Sequence, residues 1–274
     1  MIRSISNPPK LIYQHLYFYG PFEINVEGVR FKMNSLCTQF ENNIFWRGVS
    51  AAWEYQSILL WKKLTRNSNV IFDVGANSGF YSLLSVAANP KSDVYAFEPV
   101  QRNAQILRDN LRLNDFQVSI QEKAVSNISG DQYIYDIRDV KNNRQASLTK
   151  STVYGRDAEK VKVISTRLDD FIAQSDIHRL DLIKIDVEEH EVEVLLGLSE
   201  KLATLKPAIL IEVLNAKIGN HIFEILSKAG YQYYLNISEI EGAVEVDSLT
   251  PIVGRNFFCF EDKEHFNRLS FLNS

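Results

Sequence analysis

Acids that end apolar runs are the first candidates for chemistry in this sequence. Asp73 ends the run that begins at Val70 and leads into a turn with Gly75 and Gly79, and Glu98 ends a second apolar run. Glycine lets such a turn close tightly and lets the backbone approach a ligand. The helix-like residues after the turn would offer free N–H groups at their start, which suit an anion or a carboxylate. The stretch therefore predicts a nucleotide-type pocket at the end of a first strand.

The same two acids indicate which nucleotide this pocket would hold. A dinucleotide fold uses Gly-x-Gly-x-x-Gly, and the turn over 75–79 is one glycine short and differently spaced. The Glu98 carboxylate could accept both ribose hydroxyls of an adenosine. Asp73 would repel a pyrophosphate but suits the ammonium group of S-adenosyl-L-methionine, which has no phosphate. We therefore expect this cofactor, with S-adenosyl-L-homocysteine as its product, rather than the NAD of a sugar oxidoreductase.

A second group of charged residues lies in and after the apolar run Leu180–Ile185. Lys184 and Asp186 are two positions apart, so a strand would place them on one face. Charges in so apolar a strand are costly unless they are paired or used. If this strand lies beside the first one, Asp186 ends it near the switch point of the sheet, facing the transferable methyl group. The alternative is a buried Lys184–Asp186 pair that only orders the strand.

Two further acids and a histidine complete the candidate reaction site. Asp186 is expected to be the base that removes a hydroxyl proton or the group that orients this base, and His190 is the competing base. Glu212 ends a later strand and could bind acceptor hydroxyls. Glu188 is a candidate for the same role, although it also suits the first turn of the next helix. Asp186 and Glu212 could hold a divalent metal, but no third ligand is evident, so no metal site is predicted.

Strands and helices that alternate from residue 70 onward must position these residues. Repeated β-α units predict an α/β domain over 70–274, with a mostly parallel sheet and right-handed crossovers. The last apolar run, Asn256–Phe260, follows the preceding strand without a helix long enough to cross over. We therefore expect this last strand to run antiparallel.

Residues 1–69, here called the leader, precede this core. Two segments with alternating polarity flank Glu27-Gly28 and are typical of a hairpin, and the pattern over 53–65 is typical of an amphipathic helix. We expect the leader to pack on the core or to cover its pocket. Its aromatic residues could also bury themselves against a second subunit of a homodimer.

Residues 130–165 form an insert between the third and fourth strands of the core. Its stretch over 136–160 is long, polar and charged, and a loop of this length in a compact domain is usually functional or disordered. We interpret it as a lid that binds the acceptor, with basic residues that suit a phosphate. A solvated loop is the alternative.

The composition limits the class of protein. The 274 residues carry a formal net charge of −4, which gives no electrostatic footprint for nucleic acid. No apolar run approaches the roughly 18 residues that a membrane span needs. The two cysteines, Cys37 and Cys259, are expected to be reduced thiols in a cytoplasmic protein. The partner that we expect is a small-molecule or glycan acceptor.

Five short motifs follow one another in a fixed order along the core. They are Asp73-Val-Gly75-Ala-Asn77-Ser-Gly79, Phe97-Glu98-Pro99, Leu168-Asp169, Ile183-Lys184-Ile185-Asp186-Val187-Glu188 and Ile211-Glu212. This ordered set resembles the FkbM family of S-adenosylmethionine-dependent methyltransferases over about 70–235. The resemblance implies a class I methyltransferase fold, Rossmann-like, with a seven-stranded sheet.

The resemblance also implies a reaction and assigns roles to residues. The reaction would be methylation of a hydroxyl on a sugar, glycan or nucleotide-linked saccharide. By motif, the cofactor positions would be Asp73, Gly75, Asn77, Gly79, Glu98 and Pro99. Asp186, with Lys184, matches the reaction end, and Ser147 matches a recurrent serine of the insert that would contact the acceptor. At Glu189 the chain departs from the family, which usually has glycine there.

Two alternatives to O-methylation stay open at this point. One is an N-methyltransferase that acts on a small amine or a phosphoramidate-type acceptor. The other is a non-catalytic module that binds S-adenosylmethionine.

Overall fold

The computed structural model describes residues 15–36, 38–51, 54–137, 146–147 and 158–271. The strands in chain order are β1 (Tyr19–Val26), β2 (Val29–Leu36), β3 (Val70–Val74), β4 (Asp93–Phe97), β5 (Ser119–Gln121), β6 (Ala124–Val125), β7 (Gly130–Ile137), β8 (Ala146–Ser147), β9 (Ala158–Thr166), β10 (Leu182–Ile185), β11 (Ala208–Glu212), β12 (Tyr233–Ser238), β13 (Gly242–Val246) and β14 (Asn256–Phe260).

The α-helices are α1 (Gln39–Arg47), α2 (Tyr55–Thr65), α3 (Phe80–Ala88), α4 (Gln101–Arg112), α5 (Leu168–Gln174), α6 (Glu191–Leu196), α7 (Ser199–Leu205), α8 (Ala216–Lys228) and α9 (Lys263–Phe271), with a 3-10 turn at Val49–Ala51. Over the described ranges, no helix combines the length and the apolar character that crossing a membrane requires.

The centre of the fold is an eight-stranded sheet with the order β13-β12-β14-β11-β10-β3-β4-β5. The pairs from β5 to β11 are parallel, whereas β14 runs antiparallel to both of its neighbours. This confirms the expected mostly parallel sheet with an antiparallel last strand. β13 pairs antiparallel with β12 and adds an edge strand to the seven that were expected.

Side chains of the central strands alternate between two apolar layers. Ile71 and Leu182 lie in the layer that also contains the buried residues of the leader. The neighbouring residues of the same strands, Phe72 and Ile183, lie in the opposite layer. Because side chains in a strand alternate, Asp73 and Lys184 fall on the same face as Ile71 and Leu182. The two charged residues of these strands therefore point to the side of the sheet that the leader covers.

The leader packs on the core through its hairpin and α2. Trp61 of α2 is fully buried, and its Nε1 donates a 2.9 Å hydrogen bond to Ser85 Oγ of α3. Lys62 forms a 2.7 Å ion pair with Glu27 in the hairpin turn, which ties the helix to the hairpin. Tyr19 in β1 is 77% exposed, and a homodimer through the leader stays a prediction.

The sequence pattern over 188–205 is typical of one helix, but the structure forms two helices in this region, α6 and α7. Gly197 separates them, and a Cβ at this position would lie 2.1 Å from the Ser126 carbonyl oxygen. The close approach of the two backbones requires glycine there, and the chain starts a new helix directly afterwards.

The insert contributes to a second sheet, with the order β6-β9-β7-β8. The sequence pattern over 161–165 is typical of a strand, and these residues are part of β9, which pairs antiparallel with β7 and lies outside the central sheet. The insert thus begins with β7 and ends with β9. Residues 138–145 and 148–157 lie outside the described residues, and the interpretation of the insert as a lid stays a prediction.

Candidate active site

The turn after β3 is held in a conformation that needs its glycines. Gly75, Asn77 and Gly79 all have positive φ, at 81°, 51° and 90°. A Cβ at Gly75 would lie 1.9 Å from the Asp186 carbonyl oxygen, and a Cβ at Gly79 would lie 2.1 Å from Leu107 Cδ1. Glycine therefore permits both the left-handed backbone and the close approach of β10 and α4.

A cavity of about 330 Å³ opens above this turn, at the carboxyl ends of β3, β4, β10 and β11. Ligand pockets in doubly wound sheets lie at this edge, and their volumes start at about this size. Most of the expected site residues line the cavity. They are Asp73, Gly75, Asn77, Glu98, Pro99, Lys184, Asp186, Glu188 and Glu212.

Asp73 has one carboxylate oxygen to spare inside this cavity. The side chain is 1% exposed, and Ser82 Oγ donates a 2.6 Å hydrogen bond to Asp73 Oδ2. Asp73 Oδ1 is buried and has no hydrogen-bond partner among the described residues. Burial raises the pKa of Asp73 more than the nearby Lys184 ammonium lowers it. A bound ammonium group would provide the missing donor and a compensating charge.

Glu98 joins the glycine turn to the start of α4. Asn77 N–H donates to Glu98 Oε2 at 2.8 Å and Val100 N–H donates to Oε1 at 2.9 Å, with Asn103 Nδ2 at 3.3 Å from Oε1. Burial raises the pKa of Glu98 to about 7 in spite of these donors. Each carboxylate oxygen has two lone pairs, so these three donors leave one lone pair, on Oε2, for a ribose hydroxyl. The side chain can bind a ribose and also orders the turn.

Lys184 interacts electrostatically, through its ammonium, with both Asp73 and Asp186. Its Cα pairs with that of Asp73 across β10 and β3, and its Nζ lies 2.7 Å from Asp186 Oδ2. The Nζ also lies 4.9 Å from the centroid of the Tyr81 ring. Burial lowers the pKa of Lys184, but the carboxylates of Asp186, Asp73 and Glu54 outweigh this and hold it above its ordinary range. Lys184 is therefore a buried ammonium.

Glu212 lies at the end of β11. In the sheet, β10 and Asp186 separate it from β3 and Asp73. Burial, together with the neighbouring carboxylates of Asp186 and Glu188, raises the pKa of Glu212 to about 9. A protonated Glu212 at neutral pH can donate a hydrogen bond to an acceptor oxygen. In the part of the chain that the structure describes, no group of three or more His, Cys, Asp or Glu side chains could hold a metal ion.

The turn that follows Asp186 has an unusual backbone. Glu188 and Glu189 both have positive φ, at 56° and 71°. Glu191 is fully buried beneath this turn, and its Oε1 accepts a 3.2 Å hydrogen bond from Val187 N–H. Glu189 thus occupies a left-handed position of the kind that favours glycine. The chain keeps this turn although it has glutamate where the family usually has glycine, and the Glu189 backbone is strained as a result.

His190 does not line the cavity, in contrast to its expected role as a competing base. Its Nε2 lies 3.0 Å from Ser126 Oγ and its Nδ1 lies 3.5 Å from Glu193 Oε2. Burial lowers the pKa of His190, which the Glu193 carboxylate partly offsets. The physical reason for the placement is the left-handed turn, because it delays the helix to Glu191 and directs His190 towards β6.

Two other expected site residues are not part of the cavity wall that the structure describes. Gly79 lies at the start of α3, where it shapes the turn against Leu107 without lining the cavity. The backbone of Ser147 pairs with Tyr135 in β8, and its side chain lies outside the described residues. The acceptor-binding role of Ser147 stays a prediction.

The cavity also contains residues that the sequence did not single out. Tyr81 O–H donates a 2.8 Å hydrogen bond to Glu54 Oε2, so a leader residue contacts the wall beside Lys184. Because Tyr81 lies in the first turn of α3, directly after the glycine turn, its place beside the cavity could have been predicted from the sequence. The place of Glu54 could not have been predicted, because only long-range packing brings the leader to this edge. The remaining additions are Thr38, Gln39, Phe40, Glu41, Phe80, Asn103, Lys123, Ala124, Val125 and Ile134.

The sequence of this core matches a known family. The model of the methyltransferase FkbM domain matches residues 73–233. The chain belongs to the FkbM methyltransferase family. The match begins at Asp73, near the end of β3, and includes β10 and β11 with Asp186 and Glu212, whereas the leader lies outside it.

Relatives with assigned activities share part of the chain. The 2-O-methyltransferase NoeI from Sinorhizobium fredii (strain NBRC 101917 / NGR234) is 29% identical over 153 residues, which is 51% of this chain and 61% of NoeI. The hexuronic acid methyltransferase AglP from Haloferax volcanii is 24% identical over 184 residues, or 67% of this chain and 72% of AglP. The similarity to NoeI therefore covers less than two thirds of that protein.

A methyltransferase FkbM of known structure from Methylobacillus flagellatus KT superposes with a TM-score of 0.44 at 18% identity, over 71% of this chain and 44% of that one. The family match and the strand order, with β14 antiparallel between β11 and β12, give the class I S-adenosylmethionine-dependent methyltransferase fold. Family and fold imply the use of S-adenosylmethionine. The residues present fit this cofactor, since Asp73 Oδ1 lacks a donor and Glu98 Oε2 has one free lone pair.

Proposed function

We propose that the protein transfers the methyl group of S-adenosylmethionine to a hydroxyl of a sugar, glycan or nucleotide-linked saccharide. One observation carries this proposal. The Asp186 carboxylate, 2.7 Å from the Lys184 ammonium, lines the same cavity as the Asp73 oxygen that lacks a donor. A candidate base and a candidate cofactor ligand therefore share one space.

The names of relatives support the choice of a hydroxyl. NoeI is a 2-O-methyltransferase, and FkbM from Streptomyces tacrolimicus, 29% identical over 159 residues, is a 31-O-demethyl-FK506 methyltransferase. That similarity covers 49% of this chain and 61% of that protein. AglP acts on a hexuronic acid. These names are consistent with a sugar or another polyhydroxylated acceptor here.

The cofactor would be held at both ends by this chain. Glu98 would accept a ribose hydroxyl and Asp73 Oδ1 the amino group, with Asn77, Pro99 and the turn at Gly75 beside them. When bound, S-adenosylmethionine supplies a methyl group on a positively charged sulfur. The chain must then align a hydroxyl behind that methyl group and exclude water.

Asp186 is the residue that we assign to the proton of the hydroxyl. A sugar hydroxyl is a weak nucleophile and gains from a base that takes its proton as the new bond forms. Lys184 holds the Asp186 carboxylate in position through its 2.7 Å ion pair. Glu212, which holds a proton at neutral pH, would donate to a neighbouring oxygen of the acceptor, and Glu188 lines the wall beside it.

Labelled methyl transfer tests this proposal. The chain is first titrated with S-adenosylmethionine by calorimetry and then incubated with the methyl-labelled cofactor and a panel of sugars, nucleotide-sugars and small amines. We expect binding, followed by label on a saccharide oxygen located by NMR. Label on nitrogen would support the N-methyltransferase alternative. Binding without transfer to any acceptor would support the non-catalytic module.

A further inference from the structure

The ribose of the cofactor carries two hydroxyls, but the Glu98 carboxylate has room for one further donor. Its Oε1 already accepts from Val100 N–H and Asn103 Nδ2, and its Oε2 accepts from Asn77 N–H. With two lone pairs on each oxygen, one lone pair remains, on Oε2. A second hydroxyl that entered the site without an acceptor would lose its hydrogen bond to water, which costs affinity. A complete ribose site therefore needs a second acceptor beside Glu98.

Asn103 carries such an acceptor. It is the third residue of α4, lines the same cavity and is 2% exposed. Its Oδ1 is buried and has no hydrogen-bond partner among the described residues. Buried side-chain oxygens nearly always have a partner, so an oxygen without one in a cavity wall indicates a ligand that donates to it. Along the described cavity wall, Asp73 Oδ1 is the other buried oxygen of this kind.

The hydrogen bond to Glu98 determines which way the Asn103 amide faces. Asn103 Nδ2 lies 3.3 Å from Glu98 Oε1, and the opposite orientation would place Oδ1 against a carboxylate oxygen although both atoms are acceptors. Because Oδ1 and Nδ2 are bonded to the same carbon, Oδ1 lies directly beside the carboxylate. The two ribose hydroxyls are on neighbouring carbons, so their acceptors must be neighbours as well. The Asn103 oxygen meets this requirement.

We propose that Asn103 is a ribose-binding residue, whose Oδ1 accepts one hydroxyl of the cofactor ribose while Glu98 Oε2 accepts the other. With Asp73 Oδ1 bound to the amino group, one cofactor molecule supplies donors to both of the oxygens that lack them. The inference rests on the proposed function, since it requires S-adenosylmethionine in this cavity. It divides the recognition of the two hydroxyls between a carboxylate and an amide, whereas the sequence alone predicts that Glu98 accepts both.

Two deoxy analogues of the cofactor product test this division on the wild-type chain. The full chain is titrated by calorimetry with S-adenosylhomocysteine and with its 2′-deoxy and 3′-deoxy analogues. We expect each analogue to bind at least ~5-fold more weakly than S-adenosylhomocysteine, because each leaves one buried acceptor without a donor. An analogue that binds as tightly as S-adenosylhomocysteine would overturn the proposal, and so would the absence of any S-adenosylhomocysteine binding.

The variant Asn103→Leu separates a contact with the ribose from a purely structural role. Leucine has the same number and branching of heavy atoms as asparagine, so it still covers Glu98 Oε1, but it offers no acceptor. We expect one analogue to bind this variant within ~2-fold of S-adenosylhomocysteine, while the other keeps its wild-type disadvantage. If Asn103 only held Glu98 in place, both disadvantages would shrink together. That result, or two unchanged disadvantages, would overturn the proposal.

A matched control and a structure complete the test. Asn220 is an exposed asparagine of α8 outside the cavity, and Asn220→Leu should keep both disadvantages. Should Asn103→Leu fail to fold, a crystal structure of the wild-type complex with S-adenosylhomocysteine decides. We predict one ribose hydroxyl oxygen within about 3.2 Å of Asn103 Oδ1, and a ribose without this contact would overturn the proposal. These experiments measure binding alone, so failed methyl transfer with both disadvantages present would count against the proposed function only.

Discussion

The Lys184 ammonium lies 2.7 Å from the Asp186 carboxylate, but the two side chains differ in their access to the cavity. The Lys184 side chain is 7% exposed, whereas that of Asp186 is 32% exposed. A pair that only ordered the strand would bury both partners. Here the buried cation positions a carboxylate that still reaches the space where an acceptor would bind.

Replacing Asp186 by Asn should separate catalysis from cofactor binding. The amide keeps the size of the side chain but cannot take a proton from a hydroxyl. We expect turnover to fall by about 10²-fold or more, with cofactor affinity within a few-fold of the wild type. Labelled methyl transfer and calorimetry measure the two quantities.

Asp176→Asn is the control for this change, because Asp176 is an 88% exposed aspartate outside the cavity. Its turnover should match that of the wild type. Normal turnover in Asp186→Asn would remove Asp186 from the mechanism.

Replacing Glu98 by Ala should weaken cofactor binding and loosen the glycine turn together. The substitution removes the proposed ribose acceptor and the hydrogen bonds that the Glu98 carboxylate accepts from the N–H groups of Asn77 and Val100. We expect cofactor affinity to fall at least ~10-fold and the free energy of unfolding to fall by about 1 to 3 kcal/mol. Calorimetry and urea denaturation measure these effects, and unchanged cofactor affinity would contradict the assignment.

Replacing Glu189 by Gly should stabilise the protein. Glu189 has φ 71°, and a residue with a Cβ pays about 1 to 2 kcal/mol in this region, whereas glycine loses about 0.5 to 1 kcal/mol of chain entropy. We expect a net gain of up to about 1.5 kcal/mol in the free energy of unfolding. Urea denaturation measures it.

The same substitution in a helix is the control for this prediction. Glu224 is exposed in the middle of α8, and Glu224→Gly should cost about 1 kcal/mol. If both variants were destabilised alike, the strain at Glu189 would not be the reason for its effect.

Replacing Glu191 by Gln should change how stability depends on pH. Burial raises the pKa of Glu191 to about 8, so the folded protein keeps a proton that the unfolded chain releases above its ordinary pKa of about 4.3. Stability from this group is therefore fully present below about pH 4.3 and is lost as the pH rises to about 8. Gln does not titrate, so the variant should gain on the order of 5 kcal/mol relative to the wild type between these limits.

Urea denaturation at several pH values measures this gain. A difference between Glu191→Gln and the wild type that does not vary with pH would show that the carboxyl of Glu191 does not retain its proton on folding.

Local patterns in the sequence were sufficient to predict the core sheet and the acids at its edge. The central strands are apolar on both faces, and parallel strands bring their carboxyl ends to one edge, so Asp73, Glu98, Asp186 and Glu212 had to lie close together. The glycine turn was equally readable, because positive φ and close backbone contact both select glycine.

Long-range packing and backbone strain account for what the sequence did not predict. Glu54 reaches the cavity because the leader packs on one face of the sheet, and no spacing in the sequence encodes that contact. The position of His190 differs from the expected one for another reason. A helix from Glu188 would have put it in the first turn, but two left-handed residues delay the helix to Glu191.

A crystal structure of the complex with S-adenosylhomocysteine tests the central claim most directly, because it locates both ends of the cofactor. We predict a ribose hydroxyl oxygen within about 3 Å of the Glu98 carboxylate and the amino nitrogen within about 3 Å of Asp73 Oδ1. The sulfur should face Asp186. A ribose that does not contact Glu98, or an adenosine that lies beside Asp186 and Glu212, would contradict the account.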